Sequence, residues 1–196
     1  MTDLPLTRAS LVLRLRDAAD HEAWETLVSV YAPVILKYAR RCGLSEPDAE
    51  DLVQDVLCSV QGAIDRFGYD PQKGSFRGWL FTMARNRVQN LKKKRTRAEL
   101  TGGTVVRDMV QAAADPEDDH ATWDREHQQQ LFRWAVEKVR SDFRSTTWNA
   151  FWATAVDNRS AESVAEELGL STGAVYVAKS RVTSRIRGLI ESLECD

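Results

Sequence analysis

Between Phe76 and Arg97, apolar side chains return at steps of three and four: Trp79 or Leu80, then Met83, Ala84, Val88 and Leu91. That spacing predicts one amphipathic helix with a single buried stripe. The same stretch is charged in one sense. From Arg66 to Arg97 there are ten Lys/Arg and one acid, Asp70. Like charges on one element repel, so this helix either keeps its outer face fully solvated or lays it against a polyanion. Asn86, Gln89 and Asn90 sit between the basic residues, with Phe76 and Trp79 at the start. Amides can read base edges and rings can stack on bases, which shifts the reading toward nucleic acid.

Just upstream lies Asp48-Ala-Glu-Asp-Leu-Val-Gln-Asp-Val56. Leu52, Val56, Val60, Ile64 and Phe67 form an apolar stripe, widened by Val53, Leu57 and Ala63. Asp48, Asp51, Gln54 and Asp55 occupy the opposite face. Pro47 suits the first turn, and Glu46, Asp48 and Glu50 complement the positive end of the helix dipole. The acids can be read as a solvated face, as a docking surface for a basic partner, or as a metal site. No second acidic cluster or paired His accompanies them, which weighs against the metal.

The third feature is near the carboxyl end. Ala161 to Leu168 reads as a short helix with Val164, Ala165 and Leu168 inward. Gly169 permits a tight turn, Leu170 plugs it, and Ser171 can cap a second helix starting at Thr172. Val175 and Ala178 face inward on that helix, while Thr172, Tyr176, Lys179, Ser180, Arg181, Arg185 and Arg187 face out. This is the pattern of a helix-turn-helix, and there is no acid from Ser171 to Gly188 to oppose DNA.

The fold class expected is all-α, as two small helical domains joined by a flexible linker. The first runs over residues 1–97, with short helix Leu11–Asp17, then Ala23–Cys42 kinked at Pro33, then the acidic helix, a loop over Arg66–Ser75 and the basic helix. Core candidates in Ala23–Cys42 are Trp24, Leu27, Val28, Tyr31, Ile35 and Tyr38. The linker covers 98–116. The second domain spans 117–196, with helices at Gln130–Arg140 and Thr146–Val156. Its core candidates are Leu131, Phe132, Trp134, Ala135, Val139, Trp148, Phe151 and Trp152. A net charge of −2 hides a partition: Asp108 to Glu126 holds seven acids against one Arg, with basic stretches on either side. That partition suggests that the two domains fold onto each other in the free protein, basic face to acidic linker. Cys42, Cys58 and Cys195 form no CxxC pair and three is odd, which points to free thiols in a reducing cytoplasm. His21, His120 and His127 lack metal-ligand spacing. Neither a signal peptide nor an apolar run of membrane length is evident.

Taken in order, Asp48–Val56, Gly74-Ser-Phe-Arg-Gly-Trp-Leu-Phe-Thr-Met-Ala-Arg-Asn-Arg-Val88 and Ser163-Val-Ala-Glu-Glu-Leu-Gly-Leu-Ser-Thr-Gly-Ala-Val175 make the chain resemble a bacterial sigma factor of the extracytoplasmic-function (ECF) type. The likeness extends over roughly Ala23 to Leu193. It implies a transcription initiation factor, not an enzyme, with no cofactor or metal. Asp48, Asp51, Leu52, Gln54 and Asp55 would bind the clamp of the largest subunit of core RNA polymerase. Lys73, Ser75, Arg77, Arg85, Asn86, Arg87, Asn90, Lys92, Lys93 and Lys94 would meet the melted minus-ten element of promoter DNA. Ser171, Thr172, Val175, Tyr176, Lys179, Ser180 and Arg181 would meet the minus-thirty-five element. The aromatic stretch Arg144–Ala155 would pack internally or touch the flap of the second-largest subunit. Many members carry Val-Lys-Ser-Arg in the second helix, whereas here Val175 is followed by Tyr-Val-Ala-Lys-Ser-Arg, so promoter preference does not transfer. Members are often held inactive by an anti-sigma protein, and direct membrane insertion is not expected. The rival readings are a helix-turn-helix regulator acting without the polymerase and a metal-dependent nuclease built on Asp48, Asp51 and Asp55.

Overall fold

A computed structural model describes residues 11–67, 75–101 and 116–194. The described residues contain helices and turns and no strand. In chain order the helices are α1 (Leu11–Arg14), α2 (His21–Arg41), α3 (Glu46–Ala63), α4 (Phe76–Thr101), α5 (Pro116–Arg140), α6 (Ser145–Ala155), α7 (Ala161–Leu168) and α8 (Thr172–Glu194). A single 3₁₀ turn, Ile64–Arg66, follows α3. The described residues divide into two compact units, unit 1 up to Gln130 and unit 2 from Leu131.

Unit 1 is built on α2, α3 and α4, which pack against one another, with α1 against α2. Each helix supplies one apolar stripe: Leu27, Val30, Val34, Ile35 and Tyr38 from α2, Leu52, Val56 and Val60 from α3, and Leu80, Ala84 and Val88 from α4. Asp20 starts α2. Its Oδ1 accepts from the Ala23 amide at 3.0 Å, and Arg14 donates to both its oxygens at 2.8 Å. The Arg14 guanidinium, followed by that amide, pulls the Asp20 carboxyl down to about 2. The assignment of α2 runs unbroken through Pro33. Val28, expected in the core, is exposed.

The basic helix does not stop at Arg97 but continues to Thr101, so residues 98–101 are helical rather than linker. The rest of the expected linker, 102–115, lies outside the described residues. The next helix starts at Pro116, well before the expected Gln130. Its first half packs within unit 1: Trp123 is 0% exposed and His127 3%. The division between the units therefore falls inside α5, at Gln130.

In unit 2, α6, α7 and α8 pack against one another. Ala150, Ala161, Val164, Ala165, Val175 and Ala178 form a core of small residues that lets α7 and α8 approach closely. Trp148 and Phe151 are buried on α6, but Trp152 and Phe132 are exposed. On α6, Trp148, Phe151 and Thr154 lie at steps of three and hold the inward stripe, so Trp152 falls beside it and stacks on Trp148 at 5.9 Å.

Candidate polymerase and nucleic-acid interfaces

Helix α3 separates its two faces cleanly. Ala49, Leu52, Val56 and Val60 point into unit 1, leaving Asp51, Gln54 and Asp55 exposed and Asp48 half-buried. Leu52, expected among the polymerase contacts, is 1% exposed and belongs to the core: it shares the inward stripe, and no partner can reach it. The acids are not bare. Asp48 accepts from the Ser45 hydroxyl and pairs with Arg95 of α4. The Ser45 hydroxyl first, and then Arg95, hold its carboxyl below the usual range. Asp55 lies 3.9 Å from Arg87, whose other nitrogen donates to Ser59 Oγ at 3.0 Å. Arg87, expected to meet DNA, and Arg95, from the same basic helix, are thus engaged with the face expected to meet the polymerase.

Helix α4 begins with a local cap. The Gly78 amide donates to Ser75 Oγ at 3.1 Å, so this hydroxyl already satisfies one of the orphan amides of the first turn. Arg85 is half-buried, while Asn86, Arg87, Asn90, Lys92, Lys93 and Lys94 are exposed along one helix. Lys73 lies outside the described residues. At the start of α4 a group of rings meets the end of α3: Phe67 and Trp79 have centroids 4.8 Å apart, Phe67 and Phe76 5.5 Å, and Phe76 and Tyr31 5.8 Å. Phe76 is buried, whereas Phe67 and Trp79 are half-open. Arg16 donates to the Phe67 carbonyl at 2.8 Å and fixes the point where the chain leaves α3.

The sequence reading missed the first half of α5. Trp123 packs edge-on against Tyr38, with centroids 5.9 Å apart, and against Phe81 at 5.5 Å. His127 stacks on Tyr31 at 4.9 Å. Around these rings, acids of α5 meet cations of α2 and α4. Glu126 lies 2.9 Å from Arg41 and 3.3 Å from Lys37, and Asp119 lies 3.6 Å from Arg41. Asp124 Oδ1 lies 2.8 Å from Arg77 Nε but off line for a hydrogen bond, so the attraction there is coulombic. Burial, and then the Arg77 charge, push the His127 imidazole down to about 4, against the opposing pull of Asp124. A legible signal existed. Trp123, His127, Leu131, Ala135 and Val139 recur at steps of four, and the titratable His127 in that stripe masked it.

In unit 2 the turn between α7 and α8 is closed by local bonds. Ser160 Oγ accepts from the Ser163 amide at 3.2 Å and starts α7. Gly169 ends that helix at φ 62°, ψ 36°, a left-handed conformation that disfavours any side chain. The Leu170 amide returns to the Ala165 carbonyl at 2.9 Å. Ser171 Oγ accepts from the Ala174 amide at 3.2 Å and starts α8. Val175, expected among the DNA contacts, is 1% exposed: it holds α8 onto α7 and cannot reach a groove. Tyr176 is 59% exposed, with Lys179, Ser180 and Arg181 on the same open side and Thr172 half-buried. Lys179 Nζ donates to the Thr154 carbonyl at 3.3 Å, and Arg185 pairs with Asp142 at 2.8 Å.

No group of three or more His, Cys, Asp or Glu among the described residues is placed to hold a metal ion. Among the described residues no helix is long and apolar enough to cross a membrane.

Residues 27–98, from within α2 to near the end of α4, match the Sigma-70 region 2 family. The chain is 27% identical over 179 residues to the RNA polymerase sigma factor CnrH of Cupriavidus metallidurans, covering 89% of this chain and 90% of that protein. It is 33% identical over 87 residues to the ECF RNA polymerase sigma factor RpoE of Cereibacter sphaeroides, covering 44% of this chain and 47% of that one. A solved structure of CnrH in complex with the cytosolic domain of CnrY covers 93% of this chain and 96% of its own at 23% identity, but its TM-score of 0.38 is too low to inform geometry. A region-two core carried by α2–α4, joined to relatives that span most of the sequence, makes the chain similar to RNA polymerase sigma factors, those of the extracytoplasmic-function type among them.

Proposed function

We propose that this chain acts by binding rather than by catalysis, lending core RNA polymerase its promoter specificity. The outer face of α3, with Asp48, Asp51, Gln54 and Asp55, docks on the clamp of the largest subunit. Helix α4 and the residues just before it take the minus-ten element as single strands. Arg77, Arg85, Asn86, Arg87 and Asn90 reach the bases and sugars, and Lys92, Lys93 and Lys94 reach the phosphates. The half-open rings Phe67 and Trp79 offer a stacking surface that helps offset the few kcal/mol of opening a base pair. Helix α8 enters the major groove of the minus-thirty-five element with Tyr176, Lys179, Ser180 and Arg181. Flap contacts by unit 2 and capture by an anti-sigma protein complete the set of partners.

The observation that carries this reading is the region-two match on α2–α4 in the same chain as a capped helix-turn-helix whose second helix exposes tyrosine and basic residues. The test is transcription by purified core polymerase on genomic fragments. Addition of this protein is expected to create starts that share two upstream elements. Asp51→Arg, at an exposed position, is expected to reduce co-purification with core polymerase at least about tenfold while the protein stays folded, because a like-charge contact costs several kcal/mol. Unchanged co-purification would remove the α3 face from the interface.

A further inference from the structure

The acids on the first half of α5 stand against a set of cations. Asp119, Asp124 and Glu126 are spread along one helix and engage Arg41, Lys37 and Arg77, from two other helices of unit 1. Arg77 is also one of the cations assigned above to the minus-ten element, and this inference rests on that assignment. A guanidinium beside a carboxylate is already partly neutralised and attracts a phosphate less, and where it donates to that carboxylate, as Arg41 does to Glu126, its donors are also occupied.

The seat of this segment is also unfinished. Buried polar groups in a settled core find partners. Here Trp123 Nε1, His127 Nδ1 and Glu126 Oε2 are buried without a hydrogen-bond partner among the described residues, and the Arg77–Asp124 pair is close but misaligned. Trp123 and His127 anchor the segment by ring packing, while its charges and polar atoms are poorly matched. Such a contact resists weak competitors and yields to a polyanion that satisfies the cations better.

We infer that Lys37, Arg41 and Arg77 form a phosphate-binding band on unit 1, and that the acidic first half of α5 occupies it in the free protein as an intramolecular substitute for nucleic acid. The segment holds down the affinity of the free factor for single-stranded DNA, and releasing its charges extends the cationic track from α4 onto α2.

The test is binding of a short fluorescein-labelled oligothymidylate to the full chain over a range of salt. The double variant Asp124→Asn, Glu126→Gln is expected to bind about tenfold more tightly at low salt. Its log–log salt dependence should steepen by about 1.4, at ~0.7 per cation released to a single strand. A control with the same change of net charge, Glu25→Gln with Glu50→Gln, is expected to gain less than about twofold. Arg77→Ala added to the double variant should remove much of the gain. If the double variant behaves as the control while Arg77→Ala alone weakens binding, the acidic occupant is overturned and the DNA role of Arg77 stands. If Arg77→Ala changes nothing in either background, both fall. Thermal melting reports folding of each protein. If the double variant fails to fold, Asp119→Asn carries the same expectation at a smaller size, and no gain there overturns the inference.

Discussion

The turn of unit 2 and the charged faces of unit 1 solve different problems with similar residues. Around α7 and α8 each local demand is met within a few positions: Ser160 caps three residues ahead, Gly169 turns the chain, and Ser171 caps the next helix. The exposed side of α8 is then left to Tyr176, Ser180 and Arg181. In unit 1 the charges are balanced across large sequence separations, Asp48 with Arg95, Asp55 with Arg87 and Asp124 with Arg77. The contrast teaches that the start of an exposed helix can be set largely by bonds a few residues apart. A surface that carries both acids and bases has to be neutralised by the fold until a partner arrives.

The largest expected break in that contrast is Trp123→Ala. Losing a fully buried indole that Tyr38 and Phe81 pack against should destabilise unit 1 by about 3–5 kcal/mol, read by chemical denaturation, and should leave hydrogen exchange of α8 nearly unchanged. Equal loss of protection in α2 and α8 would mean that the first half of α5 does not belong to unit 1 alone.

Next in size is a pH effect at His127. The folded state keeps this imidazole neutral down to about 4, whereas the unfolded chain takes up the proton near 6.5. The unfolded state therefore binds more protons between those values. Stability is unaffected above about pH 6.5 and falls as pH drops through the window, by about 3 kcal/mol in total. All three histidines precede Leu131, so unit 2 has no histidine to lose. Melts from about pH 7.5 to 5 should shift for unit 1, and His127→Phe should flatten that shift. A shift that survives the substitution would assign it to other groups.

Smaller effects sharpen the other side of the comparison. Gly169→Ala forces a side chain into the left-handed region and should cost about 1–2 kcal/mol. Ser160→Ala removes a cap and should cost about 1 kcal/mol. Both should appear in the melting of unit 2 and leave binding of the α3 face to core polymerase intact. A loss of polymerase binding without a loss of stability would give that turn a role beyond presenting α8.

The difference in legibility follows from the same physics. Gly169, Ser171 and the Val164–Ala165–Val175 core could be read because turns and caps are encoded within a few residues. The stripes of α3 and α4 could be read by periodicity, and Leu52 and Val175 are the errors that remain when a functional motif overlaps a buried stripe. The step-of-four stripe through Trp123 was legible but faint, because it runs through an acidic, weakly apolar stretch, and its partners Tyr38 and Phe81 could not be read because they are far away in sequence. The pairings of Arg77, Arg87 and Arg95 were hidden for the same reason, since charge composition reports how many cations there are and not which acids hold them.

The Asp48–Arg95 pair has a consequence for how any experiment on that face is read. A cation arriving at Asp48 makes an exchange rather than an addition, since one guanidinium leaves as another charge takes its place. The free energy recorded is the difference between two pairings. Replacing Asp48 likewise changes two sets of contacts at once: it deletes a charge proposed to dock on the polymerase and sets Arg95 loose beside Lys92, Lys93 and Lys94, where a polyanion would gain it. A variant at Asp48 can thus weaken one association and strengthen another, and its net phenotype will depend on which partner is limiting.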